Sequence, residues 1–124
     1  MPVLLSGIEA AWEPGPEAEF QRQVIDLAHS LGYIVAHFRA VRIQRADGGS
    51  HYATPVQADG VGFPDLLMIR ADPPRIVVAE LKAGRNRTSE EQDEWLSRFR
   101  AVGIKAFVWY PKHWKKIEAA LRGT

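Results

Sequence analysis

An α/β fold, a mixed sheet with helices on its faces, is predicted by three features of this 124-residue sequence. Two segments carry apolar residues at helical spacing. Two Leu, Ile and Val-rich segments, residues 65–70 and 75–82, are joined by ADPP, which continues neither a strand nor a helix. A third apolar strand, IKAFVWY at 104–110, follows the second helix and is stopped by Pro111. Helices that alternate with buried strands pack as layers around one sheet.

In chain order, residues 1–15 read as an N-terminal arm and residues 16–124 as one domain, a division consistent with the length and with 46% hydrophobic residues. Pro16 is placed to start a helix. Phe20, Val24, Leu27, Ala28 and Leu31 form its apolar stripe, and Gly32 suits its C-terminus. YIVAHF (33–38) reads as a strand. The polar, glycine-bearing connection that follows admits further strands around residues 39–44 and 51–54. After the hairpin, Thr88 or Ser89 serves as N-cap of a helix, with Glu91 or Gln92 as capping-box partner. That helix runs on Trp95, Leu96, Phe99 and Val102 to Gly103, and His113 to Leu121 make a short closing helix. Trp95, Phe99 and Trp109 are most simply core, whereas Trp12 and Trp114 have no obvious packing partner and suit a dimer contact if exposed.

Composition narrows the chemistry. With no cysteine there is neither a disulfide frame nor a zinc-thiolate site, so a metal would be held by oxygen or imidazole donors, which favours a hard ion such as Mg²⁺ or Mn²⁺. The apolar runs are shorter than the roughly 20 residues of a membrane span, and the N-terminus lacks a signal-peptide layout; a cytoplasmic protein is expected. The net charge of +1 does not by itself announce a nucleic-acid partner. The basic residues are unevenly spread, however: Arg39, Arg42 and Arg45 fall in one run, and Lys82, Arg85 and Arg87 in another. Such runs are ordinarily solvated loops.

The hairpin poses the functional question. In its second strand Ile76, Val78, Glu80 and Lys82 share one face, and Val77, Ala79 and Leu81 the other. Both faces are apolar, so the strand is central, and charge appears only at its C-terminal end. Folding the hairpin symmetrically about Asp72 and Pro73 sets Asp65 opposite Glu80. Facing residues have Cβ atoms about 5 Å apart, where like charges repel by up to roughly 1 kcal/mol. Two carboxylates so placed require a proton or a cation between them. A divalent ion held by one or two carboxylates meets that need, and Lys82 reaches toward the same centre. A Glu and Lys two apart are more often a surface pair, but the apolar flanks and the opposed Asp65 argue against it here. Gly62 and Pro64, in GVGFPD, suit a shaped lead-in to the strand or simple turn punctuation. A third acid would come from the first helix, where Glu17 projects from the sheet-facing stripe and Glu19 is rotated away; Glu17 is the choice, although an acid there also complements the helix N-terminus.

PDLLMI, a short turn and VVAELK together resemble the PD-(D/E)XK nuclease signature, with Asp65, Glu80 and Lys82 in its three named places. GFPD, AELKAG and SEEQDEWLSRFRAVGIKAFVW are similar to the VRR-NUC family of that superfamily, and the likeness runs from about Glu17 to Trp109. The resemblance implies a restriction-endonuclease-like fold and metal-dependent hydrolysis of DNA phosphodiesters. It implies Mg²⁺ or Mn²⁺ on Asp65, Glu80 and the Leu81 backbone carbonyl, with Lys82 positioning the attacking water. Glu17 would be the helix acid. Gln92 would reach the lysine or the scissile phosphate, if it does not merely cap its helix. Arg39, Arg42, Arg45, Arg85 and Arg87 would hold DNA phosphates, with His37, His51 and Tyr52 as further candidates. Small members of the family resemble Holliday-junction resolvases, homodimers acting on branched DNA, and many come from phages and bacteria. A DNA-binding module that keeps the fold without catalysis is the alternative, and a metal-dependent enzyme acting on a small phosphoester is another.

Overall fold

The computed structural model describes residues 16–38, 41–44, 46–53 and 56–123, with backbone alone for 41–44 and 50–53. The arm expected over residues 1–15, with Trp12, lies outside the described residues, as do Arg39 and Arg45.

Helix α1 spans Pro16–Ser30. It is followed by strands β1 (Ile34–His37), β2 (Val41–Gln44), β3 (Ser50–Ala53), β4 (Leu66–Ala71) and β5 (Pro74–Leu81). Helix α2 (Glu90–Ala101), strand β6 (Lys105–Trp109), a 3-10 turn (Pro111–His113) and helix α3 (Trp114–Arg122) complete the order. β1, β4, β5 and β6 form one mixed sheet in that order, antiparallel except for the parallel β5–β6 pair; β2 and β3 pair with each other as a separate ribbon. This is the α/β restriction-endonuclease-like architecture, a four-strand mixed sheet flanked by helices.

The period-two pattern of β5 sorts the molecule into two layers. Val77, Ala79 and Leu81 face one way and pack with Phe20, Val24 and Ala28 of α1 and with Ile117 and Leu121 of α3. Val78 faces the other way and packs with Leu96 of α2 and Ala106. Truncating one of the large aliphatic side chains in the first layer would cost about 2–5 kcal/mol through lost burial and the cavity left behind. Trp114, half-buried, packs against this same layer, which answers the question its sequence position raised.

The ends of the elements fix the direction of the sheet. At the hairpin end, Tyr33 Oη donates to the Leu121 carbonyl at 2.7 Å and Arg75 Nε to the Ala120 carbonyl at 2.8 Å. The C-termini of α1 and α3 therefore both lie at the hairpin end, and their N-termini at the opposite end, where β5 and β6 finish.

Candidate active site

Asp65, Glu80 and Lys82 meet at that opposite end. The β4–β5 register pairs Leu66 with Ala79, so the next step sets Asp65 across from Glu80, as symmetrical folding of the hairpin requires. Asp65 Oδ2 accepts the backbone N–H of Leu81 at 2.8 Å. Glu80 is 2% exposed, the only Asp, Glu, Lys or Arg side chain among the described residues that is buried. Its Oε2 lies 3.3 Å from Lys82 Nζ and accepts Gln92 Nε2 at 3.0 Å, while its Oε1 is buried and receives no hydrogen bond.

Two acceptor groups thus face one another in a dry environment. Loss of hydration pushes the Glu80 carboxyl up to about 8, and the Asp65 charge adds to this, while Lys82 works against it. Burial also raises Asp65, opposed chiefly by the Leu81 N–H, and the negative charge of Glu17 raises it further. The site therefore favours a proton or a cation between its carboxylates.

Helix α2 supplies the fourth side chain. Between the capping alternatives admitted by the sequence, Ser89 and Gln92 form the box: Ser89 Oγ accepts the Gln92 N–H, and Gln92 Oε1 accepts the Ser89 N–H. Capping and reaching the site are not alternatives for Gln92. Its carbonyl oxygen caps, and its NH₂ is left aimed at Glu80.

Glu17, half-buried in the first turn of α1, lies at this same end of the sheet, and Asp65 feels its charge. Glu19 is exposed and pairs with Arg22. Among the described residues, no third acid or histidine joins Asp65 and Glu80 as a metal-holding group. Arg85 and Arg87 are exposed on the connection between β5 and α2. Arg42 falls in β2, and His51 and Tyr52 in β3, with their side chains outside the described residues. His37 ends β1 opposite Leu66, beside the site.

The GVGFPD lead-in is shaped as well as punctuated. Gly62 has φ of +83°, and a Cβ there would lie 2.5 Å from the Glu91 carbonyl carbon, so the loop packs directly on the first turn of α2. Trp95 Nε1 donates to the Asp59 and Val61 carbonyls, and Phe63 packs edge-on against Phe38 and Trp95. Gly62→Ala is expected to destabilise the fold by about 2 kcal/mol or more, from left-handed strain plus a backbone clash. Thermal melting measures this, and an unchanged melting temperature would contradict the packing described.

One tie had no local signal in the sequence. The Tyr110 hydroxyl donates to the Asn86 carbonyl and so pins the basic loop after Lys82. These residues are brought together only because β6 pairs in parallel with β5, where the Lys82 N–H donates to the Trp109 carbonyl at 2.9 Å.

The sequence model of the VRR-NUC domain matches residues 39–112, more than half of the chain. The chain belongs to the VRR-NUC family. VRR-NUC domains are nuclease domains of the PD-(D/E)XK type, so this is a nuclease-type domain, and such a domain implies a DNA substrate. The VRR-NUC match contains Asp65, Glu80, Lys82 and Gln92; it starts after α1, so Glu17 stands outside it. Comparison with curated proteins and with solved structures gives no match. No helix of the described residues is long and apolar enough to cross a membrane.

Proposed function

We propose that this VRR-NUC domain is a metal-dependent, structure-selective DNA endonuclease, acting in the cytoplasm as a homodimer on branched DNA such as a Holliday junction. The observation that carries the reading is the buried Glu80 carboxylate, facing Asp65 and held by Lys82 and Gln92, with one oxygen free of hydrogen bonds. Such a donor set fits a hard divalent cation. Asp65 and Glu80 would hold Mg²⁺ or Mn²⁺. The Leu81 carbonyl would join them, since its own N–H points to Asp65 and the N–H and C=O of an extended residue lie on the same strand edge.

When bound, the ion supplies positive charge against the phosphate oxygens and makes water more acidic. The remaining work belongs to the chain. Lys82 orients the attacking water and holds a positive charge near the phosphorus, where negative charge accumulates on the phosphate oxygens. Gln92, rigid because its helix cap fixes the amide, keeps Glu80 in the rotamer that presents its free oxygen. Glu17 adds negative charge behind Asp65; its position supports it over Glu19 as the helix acid. Arg39, Arg42, Arg45, Arg85 and Arg87 hold the DNA backbone without reading bases. A domain of this size offers limited contact area, and a second copy would engage the second strand.

Labelled four-way junction, 5′ flap and linear duplex, each with Mg²⁺ or Mn²⁺, test the reading. Nicking is expected with either ion, most strongly on the junction, and is lost in EDTA and in Asp65→Asn. DNA binding without cleavage on any of the three would leave the catalytically silent binding module, and equal cleavage of all three would remove the structure selectivity.

A further inference from the structure

Among the described residues, most surface arginines are engaged, whereas Arg85, Arg87, Lys105 and three lysines near the C-terminus have neither a carboxylate nor a carbonyl partner. Arg22, Arg98 and Arg122 pair with Glu19, Glu94 and Glu118, and Arg70, Arg75 and Arg100 donate to backbone carbonyls. Lys112, Lys115 and Lys116 do neither: all three are exposed, and none pairs with a carboxylate among the described residues. Lys112 instead lies 5.7 Å from the centre of the Tyr110 ring.

The topology puts this set beside the carboxylates. β6 runs parallel to β5, with Leu81 paired to Trp109, so the chain leaves the sheet at Tyr110 next to Lys82. α3 then runs back toward the hairpin, where the Ala120 and Leu121 carbonyls receive Arg75 and Arg70. Its first turn therefore stays at the site end. Ile117 and Leu121 are buried, while Lys115 and Lys116 are exposed. The Tyr110 hydroxyl ties this corner to Asn86, between Arg85 and Arg87. One corner of the sheet end thus gathers exposed cations from both segments.

This placement has a cost. The first turn of α3 contains no acid, and lysines there oppose the helix dipole and one another. Neither burial nor an ion pair holds these side chains, so their charge is available to an external polyanion.

We propose that Lys112, Lys115 and Lys116 form a second DNA-backbone contact, continuing along the β6 corner the basic surface that Arg85 and Arg87 begin beside the active site. The duplex lies across the end of the sheet, past the Asp65 and Glu80 carboxylates and along this basic corner. The patch rests on the nuclease reading for its partner and adds three phosphate contacts, two of them, Lys115 and Lys116, beyond the residues that the VRR-NUC model matches.

Binding of labelled linear duplex by the full chain in EDTA, across a salt series, tests the patch. Each phosphate contact contributes about 0.9 to the slope of log affinity against log salt. The Lys112→Ala, Lys115→Ala, Lys116→Ala triple variant is expected to lower that slope by about 2 to 3 and to weaken binding at about 0.1 M salt by tenfold or more. Arginine at the three positions restores both, and Lys105→Ala, at the far end of β6, changes neither. The melting temperature of the triple variant stays level or rises, since the lysines oppose the helix dipole. A triple variant with the parent's slope overturns the patch and leaves the nuclease reading standing. So does failure of the arginine variant to restore it. A parent chain with no affinity for DNA would bring down the patch and the nuclease reading together.

Discussion

Lys82→Ala is expected to slow single-turnover cleavage by about 10² to 10⁴, the range over which a positioned proton-handling or charge-stabilising side chain acts. The fold should survive it. Lys82 Nζ is 3.3 Å from Glu80 Oε2 and its charge holds the Glu80 carboxyl down. Without that charge, Glu80 takes up a proton more readily instead of standing as an uncompensated buried anion, so the usual penalty of breaking a buried ion pair is largely avoided. The same shift makes the carboxylate harder to ionise, and the divalent-ion concentration for half-maximal rate should rise. Lys82→Arg keeps the charge but not the compact ammonium, and should recover the ion requirement better than the rate. Quench-flow on a labelled junction, with melting curves in parallel, reads all three quantities. Cleavage at the parent's rate by Lys82→Ala would remove the lysine from the mechanism.

The second large effect concerns stability without a metal. Glu80 ionises near its ordinary value, 4.5, in the unfolded chain and near about 8 in the fold. Between those values the native state holds a proton that the unfolded chain has released. The contribution is therefore complete below about pH 4.5 and is lost as pH rises through about 8, so in EDTA the protein should lose stability between about pH 5 and 8, by an amount on the order of a few kcal/mol. Glu80→Gln replaces the titrating proton by a permanent amide donor facing Asp65. The variant should lose this pH dependence and melt higher than the parent near pH 8 in EDTA, while being inactive. Mg²⁺ should raise the parent's melting temperature most at the alkaline end, where no proton competes for the carboxylates, and should leave Glu80→Gln almost unmoved. Parallel pH–melting curves for parent and variant would refute the buried, shifted glutamate.

These two expectations rest on residues of different legibility. Asp65 opposite Glu80 was readable because a hairpin closed on Asp72 and Pro73 has one symmetrical register, and that is the register found. The helix of Glu90–Ala101 was readable too, from its cap and its apolar spacing, but two candidate caps fitted equally. In the fold Ser89 and Gln92 are the pair, and the same Gln92 side chain also donates to Glu80. The separate β2–β3 ribbon could be located in the connection as strands, without a partner, because strand pairing is a non-local choice.

Local order follows from periodicity, capping and turn chemistry, which act over a few residues and are written along the chain. On that basis the helices, the hairpin, the central place of β5, the two carboxylates and the lysine at its end are legible along the chain. Tertiary structure decided what those groups experience: the dryness that pushes Glu80 up, the amide that α2 delivers to it, the tie from Tyr110 to Asn86 and the lysines that α3 adds at the same sheet end. Each of these depends on atoms brought together from distant parts of the chain, and solvent exclusion and Coulomb interaction act on distance in space, not on distance in sequence.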